Sequence, residues 1–219
     1  MQSGPEIGVA ATKTFTSQIL ILILIALKMG FLSDKIGSDE LYHYILQLKE
    51  LPKYVRHILD ETENIRKIAM KIKDAESVFF IGRGINFPLA MEGALKLKEI
   101  SYLHAEGFAA GELKHGPFAL LTKKTPVIAV TTIDNIYDKI ISNIGEVKAR
   151  GPKVIAIAEK NDTEIDKHAD HVLRYNSQSK ILNCIPIAVI LQLLAYHVAN
   201  LKECNIDKPR NLAKSVTVE

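Results

Sequence analysis

A chain of 219 residues can bury one domain-sized core with additional helices around it. Hydrophobic residues at 47% and charged residues at 24% are globular values and exclude a disordered chain. The net charge of +3, from 28 basic and 25 acidic residues, forms no run, and aromatics at 6% make no stacking platform, so nucleic acid is not an expected partner; a small anionic substrate is compatible. The two cysteines, Cys184 and Cys204, lie in apolar, helix-like stretches that suit reduced thiols in a cytoplasmic protein better than a disulfide framework. No secretory leader is expected. The longest unbroken apolar run, Ile19 to Leu27, is too short to cross a bilayer, so no membrane association is expected.

In chain order, residues 1–8 read as a loop with Gly4-Pro5 as its turn. Thr12 to about Met29 reads as a helix closed by Gly30 at its C-cap; its length argues against a strand despite the Ile/Leu alternation. Because it is apolar all round, it should be covered on several sides, at a domain or subunit contact. Two amphipathic helices are predicted near Asp39–Glu50 and Pro52–Lys73, completing a helical arm over 1–73.

Val78 to Ile81 is a buried strand bounded by Gly82-Arg83-Gly84, and Pro88 suits the first turn of the helix that follows. Leu89, Ala90, Ala94, Leu97 and Ile100 give that helix one apolar face. His104 to Pro117 reads as a loop rich in ionisable groups. Strands are then predicted at Pro126–Thr131, Lys153–Ala158 and His171–Tyr175, with a helix near Asn135–Arg150 and a long apolar helix over Ile181–Leu201 interrupted by Pro186. Strands alternating with helices imply an α/β fold with a doubly wound parallel sheet over 74–203, and 204–219 has no periodicity and reads as an irregular tail. In such sheets ligands sit beyond the carboxyl ends of the strands, here near Gly82 to Asn86.

Several groups could carry chemistry. Glu92, Lys96 and Glu99 are spaced i, i+4, i+7 on one helical side, which by spacing alone is also the pattern of a surface ion pair with a spare carboxylate. Glu106, Glu112, Lys114 and His115 crowd a glycine-rich segment, and an imidazole titrates near neutral pH, although a loop histidine is often only solvated. Gly82-x-Gly84 lacks the third glycine of a dinucleotide fingerprint, since Phe87 stands there, so no nucleotide cofactor is expected. His104-x-Glu106 is not followed by the paired cysteines of a zinc deaminase, and no metal is expected. Lys214 sits among Leu212, Ala213 and Val216; a lysine packed against apolar groups loses proton affinity and can form a Schiff base, though tail lysines are usually solvated.

The blocks PEIGVAATKTF (5–15), EGALKLKEISY (92–102), AAGELKHGP (109–117), QLLAYHVA (192–199) and PRNLAKSVTVE (209–219) resemble, in order, glutamine–fructose-6-phosphate aminotransferases, the glucosamine-6-phosphate synthases. The resemblance covers essentially the whole chain and is to the second sugar-isomerase (SIS) half of their isomerase domain, a flavodoxin-like fold. It implies conversion of fructose 6-phosphate to glucosamine 6-phosphate. By that likeness Lys214 matches the lysine that forms a Schiff base with the open-chain ketone, and Glu99 the glutamate that moves a proton between C1 and C2. His115 matches the ring-opening histidine, supplied by the neighbouring subunit of a homodimer. Lys96 and Glu92 match supporting helix residues, and Val9 and Ala213 match contacts around the sugar. Ala11 and Thr14 depart from the family, which often has Ser and Ala there. The resemblance further implies that the glutaminase domain and the first SIS half lie outside this chain and act as its partners. The other reading is a non-catalytic SIS module that binds a phosphosugar, which would have no need of Lys214 and Glu99 together.

Overall fold

A computed structural model describes residues 2–214. The helical arm comprises α1 (Lys13–Leu32), α2 (Ser38–Asp60) and α3 (Glu63–Ile72). The α/β unit then runs β1 (Ser77–Gly82), α4 (Asn86–Ser101), β2 (His104–Ala109), β3 (Val127–Val130), α5 (Tyr137–Lys148), β4 (Val154–Glu159), β5 (His171–Tyr175) and α6 (Cys184–Leu201), with 3-10 turns at Ala110–His115 and Pro117–Leu120. The five strands form the expected parallel, doubly wound sheet, in the order β2-β1-β3-β4-β5.

Strands covered on both faces are apolar on both faces, and β1, β3 and β4 have this character. Phe80, Ile128 and Ile155 point into a core shared with α3, α4 and α6, whereas Phe79, Val127 and Val154 point into a second core against α5. The chain winds outward from β1 to β2 on one side and from β3 through β5 on the other. The helices α4 and α5 consequently cover opposite faces, as right-handed crossovers require.

Four local expectations are corrected. His104–Ala109 is an edge strand paired with β1 from Ser77↔His104 to Gly82↔Ala109, not a loop. Its polar residues suit an edge, where one side of the ladder has no partner. Gly30 lies inside α1, which Ser33 caps. Pro52 does not separate two helices: α2 runs through it, with Leu51 and Ile58 buried on one face, and the break falls at Glu61-Thr62. Pro186 does not interrupt α6, because it sits in the first turn, where a missing N–H costs nothing.

Helices α1 and α6 both have the length and composition of a membrane span. Most of α6 is core, whereas α1 buries only Ile23 and Leu27 and leaves Leu22, Leu24, Ile25, Met29 and Leu32 exposed. Within the described residues the covering expected for α1 is thus supplied on one side only.

Two glycines give opposite expectations. A Cβ on Gly107 would come within 2.6 Å of the Met91 backbone, where β2 and α4 touch, whereas one on Gly145 in α5 would meet nothing within 4 Å. Gly107→Ala should lower stability by about 1–3 kcal/mol, and Gly145→Ala should raise it by about 0.5–1 kcal/mol. Urea denaturation of the two variants checks both signs.

Candidate active site

The stripe on α4 is not a surface pair. The Lys96 side chain is only 5% exposed and lies between Glu99, 23% exposed, and Glu92, 10% exposed. Its Nζ donates to Glu99 Oε2 at 2.6 Å and stands 3.6 Å from Glu92 Oε1. That Glu92 oxygen is buried and accepts no hydrogen bond. Burial raises the Glu92 carboxyl above its ordinary value; Lys96 opposes the shift and the like charge of Glu99 adds to it. One helix therefore holds two carboxylates in unlike settings around one amine, a pattern suited to proton transfer.

The stripe is covered by segments remote in sequence. A cavity of about 390 Å³ is lined by Glu6 and Thr12 from the N-terminal loop, Lys13 from the start of α1, Lys96 from α4, Gln192 from α6 and Asp207 from the tail. A larger cleft of about 940 Å³ between α1 and α4 is apolar, with Glu92 at its wall. The smaller cavity is the one where loop, helix amine and tail meet.

The Glu6 carboxylate shapes the loop. It accepts from the Thr12 backbone N–H at 2.7 Å, from Thr12 Oγ1 at 3.2 Å and from Thr14 Oγ1. Burial opposes its charge, but the hydrogen bonds from Thr14 and Thr12 outweigh that and hold the carboxyl below its ordinary value. Loop and tail are joined by Val9 N–H donating to the Asp207 carbonyl at 2.9 Å. Lys214 Nζ donates to the Glu6 carbonyl. The tail is pinned to the end of α4 by Arg210, whose N–H donates to Tyr102 Oη at 2.9 Å and whose guanidinium stacks on that ring.

This location differs from the one expected. Helix α4 starts at the carboxyl end of β1 and finishes where β2 begins, so Lys96, Glu99 and the tail lie toward the amino ends of the strands. The glycine turn at the other end is filled by the chain itself: Arg83 donates to Asn143 Oδ1 at 2.8 Å, and Asn86 is bonded to Thr132 at 3.1 Å. Nor, among the described residues, does the tail shield Lys214, since Leu212, Ala213 and Lys214 are exposed. Tail residues 215–219 lie outside the described residues.

The structure brings Val9, Lys96, Glu99 and Lys214 to one region, with Glu92 alongside. His115 is not among them. It follows β2, six residues and about 20 Å along the sheet from the end of α4. Its side chain is 73% exposed and its nearest carboxylate is Glu112 at 3.8 Å. His104 and Glu106, 3.3 Å apart, lie on the edge strand, His104 exposed and Glu106 half-buried. Cys184 and Cys204 are free, and burial pushes the Cys184 thiol up to about 11, which makes it a poor nucleophile. Glu6, Gln192 and Asp207 were not among the residues expected at the site. No spacing rule links them to α4, and only the fold brings them there.

The family model for the SIS domain matches residues 71–202. Over 218 residues the chain is 53% identical to the glutamine–fructose-6-phosphate aminotransferase [isomerizing] of Methanosarcina acetivorans, covering 100% of this chain and 35% of that protein. It is 49% identical over 217 residues to the Chlorobaculum tepidum enzyme of the same name, again spanning 35% of it. The solved C-terminal domain of glucosamine-fructose-6-phosphate aminotransferase from Francisella tularensis superposes with a TM-score of 0.87 at 39% identity, over 94% of this chain and 58% of that one. The chain spans about a third of the length of these curated relatives. It belongs to the SIS-domain family.

Two variants test the electrostatics of the stripe. Lys96→Met leaves two carboxylates without their buried cation and should cost about 3–5 kcal/mol of stability. For Glu92 the native state favours the protonated carboxyl more than the unfolded chain does, so its contribution is full at low pH and declines as pH rises through the raised titration. The difference in unfolding free energy between wild type and Glu92→Gln should therefore move toward the variant as pH rises above the ordinary carboxylate range, as followed by urea melts.

Proposed function

We propose that the cavity under the N-terminal loop of this SIS-domain chain acts on fructose 6-phosphate as the isomerising part of a glucosamine-6-phosphate synthase. The observation that carries the reading is the juxtaposition of the Glu99–Lys96–Glu92 stripe, with its buried amine, and a cavity whose loop receives the amine of Lys214. The similarity to aminotransferases over the full chain supports the same reading.

In this reading the neutral amine of Lys214 attacks C2 of the open-chain ketone and water leaves, giving a Schiff base. Ammonia replaces the lysine nitrogen at C2, and Glu99 then takes a proton from C1 and returns it to C2. The O1 hydroxyl proton passes to the C2 nitrogen, so the C1 hydroxymethyl becomes an aldehyde and the C2 imine an amine, and the sugar is neither oxidised nor reduced overall. Lys96 orients Glu99 through its 2.6 Å hydrogen bond, and Glu92, whose carboxyl burial pushes above its ordinary value, flanks the same amine at 3.6 Å. The Val9 backbone and Ala213 border the sugar.

His115 acts on the substrate of a second copy. Its place beyond the carboxyl end of β2 puts it out of reach of its own chain's stripe, and the exposed apolar side of α1 offers surface for such association. A homodimer in the cytoplasm, with glutaminase and first SIS portions as the source of ammonia and the phosphate cradle, completes the proposal. The two unbonded cysteines suit that compartment.

The test is borohydride trapping in the full-length gene product with fructose 6-phosphate. A reduced sugar adduct is expected on the peptide containing Lys214 and should be missing in Lys214→Arg. Glu99→Gln should still form the adduct while turnover drops by about 100-fold or more. Turnover without an adduct would remove the Schiff base, and binding without either would leave a phosphosugar-binding module.

A further inference from the structure

We infer that Glu6 is a positioning residue for Lys214, its carboxylate building the loop whose carbonyl receives the lysine amine; this rests on the function proposed above. The argument begins with the segment itself. Residues 2–12 have no regular secondary structure and no ladder to fix them. An irregular loop holds one conformation only where side chains satisfy its backbone.

Glu6 supplies that satisfaction. The backbone N–H of Thr12 and the hydroxyls of Thr12 and Thr14 converge on its two carboxylate oxygens. These groups mark the start of α1, where the helix dipole favours a negative charge and where Thr12 makes no capping bond of its own. Lys13 Nζ closes the same loop from the other side by donating to the Pro5 carbonyl at 2.6 Å. With the carboxylate fixed on the helix, the carbonyl of the same residue faces the tail and accepts the Lys214 amine. The loop thus couples the first helix to the last described residue through one amino acid.

Its placement is specific to the site. Glu6 lines the cavity that Lys96 also lines, and Lys96 is bonded to Glu99. The tail itself is exposed from Arg210 to Lys214, so the direction of the lysine depends on what its amine can bind. A backbone carbonyl parks the amine beside the cavity until substrate displaces it. Removing the carboxylate frees the loop, and with it the carbonyl. An amine displaced by about 1 Å loses roughly 100-fold in rate when geometry controls attack.

The experiment compares Glu6→Ala, Glu6→Gln, Thr14→Val and Lys214→Arg in the full-length gene product. Turnover of fructose 6-phosphate, KM, the initial rate of borohydride trapping at Lys214 and the thermal midpoint are measured. Glu6→Ala should slow trapping and kcat together by about 10- to 100-fold with KM and the midpoint nearly unchanged. Glu6→Gln should recover most of the rate, since its amide oxygen still accepts from Thr12 and its amide nitrogen can donate to Thr14 Oγ1. If Glu6→Ala does not fold, Thr14→Val, which removes a single hydrogen bond, should show the same split at smaller size. Wild-type trapping in a folded Glu6→Ala, or in Thr14→Val where that stands in for it, alongside an inactive Lys214→Arg, would overturn the inference and leave the proposed function intact. An active Lys214→Arg would overturn both.

Discussion

The burial of one ammonium between two carboxylates on α4 is the constraint around which the site is built. Taking Lys96 out of water costs several kcal/mol, and only close carboxylates and a covering structure can offset that. The sequence meets the first need with Glu92 and Glu99 on the same helical side. The second is met by segments from both ends of the chain, since the N-terminal loop, α6 and the tail all close over the same stretch of helix. The buried charge and the convergence of the termini are parts of one arrangement.

That arrangement uses the sheet in an unusual sense. Open parallel sheets present ligands with the carboxyl ends of their strands, and β1 duly ends in a glycine turn. Here that end is occupied by Arg83, Asn86, Asn143 and Thr132, which satisfy one another. The proposed site lies down α4 toward its last turn. The sheet serves as a rigid mount whose two cores hold α4 and α5 on opposite faces, and α4 carries the charged stripe away from the switch point. Members of one fold family can place their sites differently in this way, because function resides in side chains and not in the fold.

The helical arm completes the picture from the other direction. Helix α1 begins at the site, where Glu6 ties its first residues to the loop, and it ends with a mostly uncovered apolar side. A single element thus connects the proposed substrate cavity to the surface best suited to a partner. His115, beyond the far end of β2, would make the same demand under the proposed function, since its own chain's stripe lies at the other end of the sheet.

What the sequence determined by itself was whatever depends on neighbours along the chain. Apolar runs at β1, β3 and β4 and the helical period of α4 specified a parallel α/β fold, and the i, i+4, i+7 spacing put Glu92, Lys96 and Glu99 on one side. The resemblance of five blocks to known aminotransferases singled out Lys214, Glu99 and His115. It could not reveal that His104–Ala109 pairs as an edge strand, since polar alternation there looks like a loop until β1 supplies the partner. Nor could it reveal that α2 continues through Pro52, where burial of Leu51 and Ile58 outweighs the local penalty. Whether the charged stripe faced water or the interior was likewise undecided. Tertiary structure settled that by bringing Glu6 and Asp207 over Lys96 and α1 alongside Glu92, because burial, and with it the raised pKa of Glu92, is a property of what packs against a residue and not of the residues beside it in the chain.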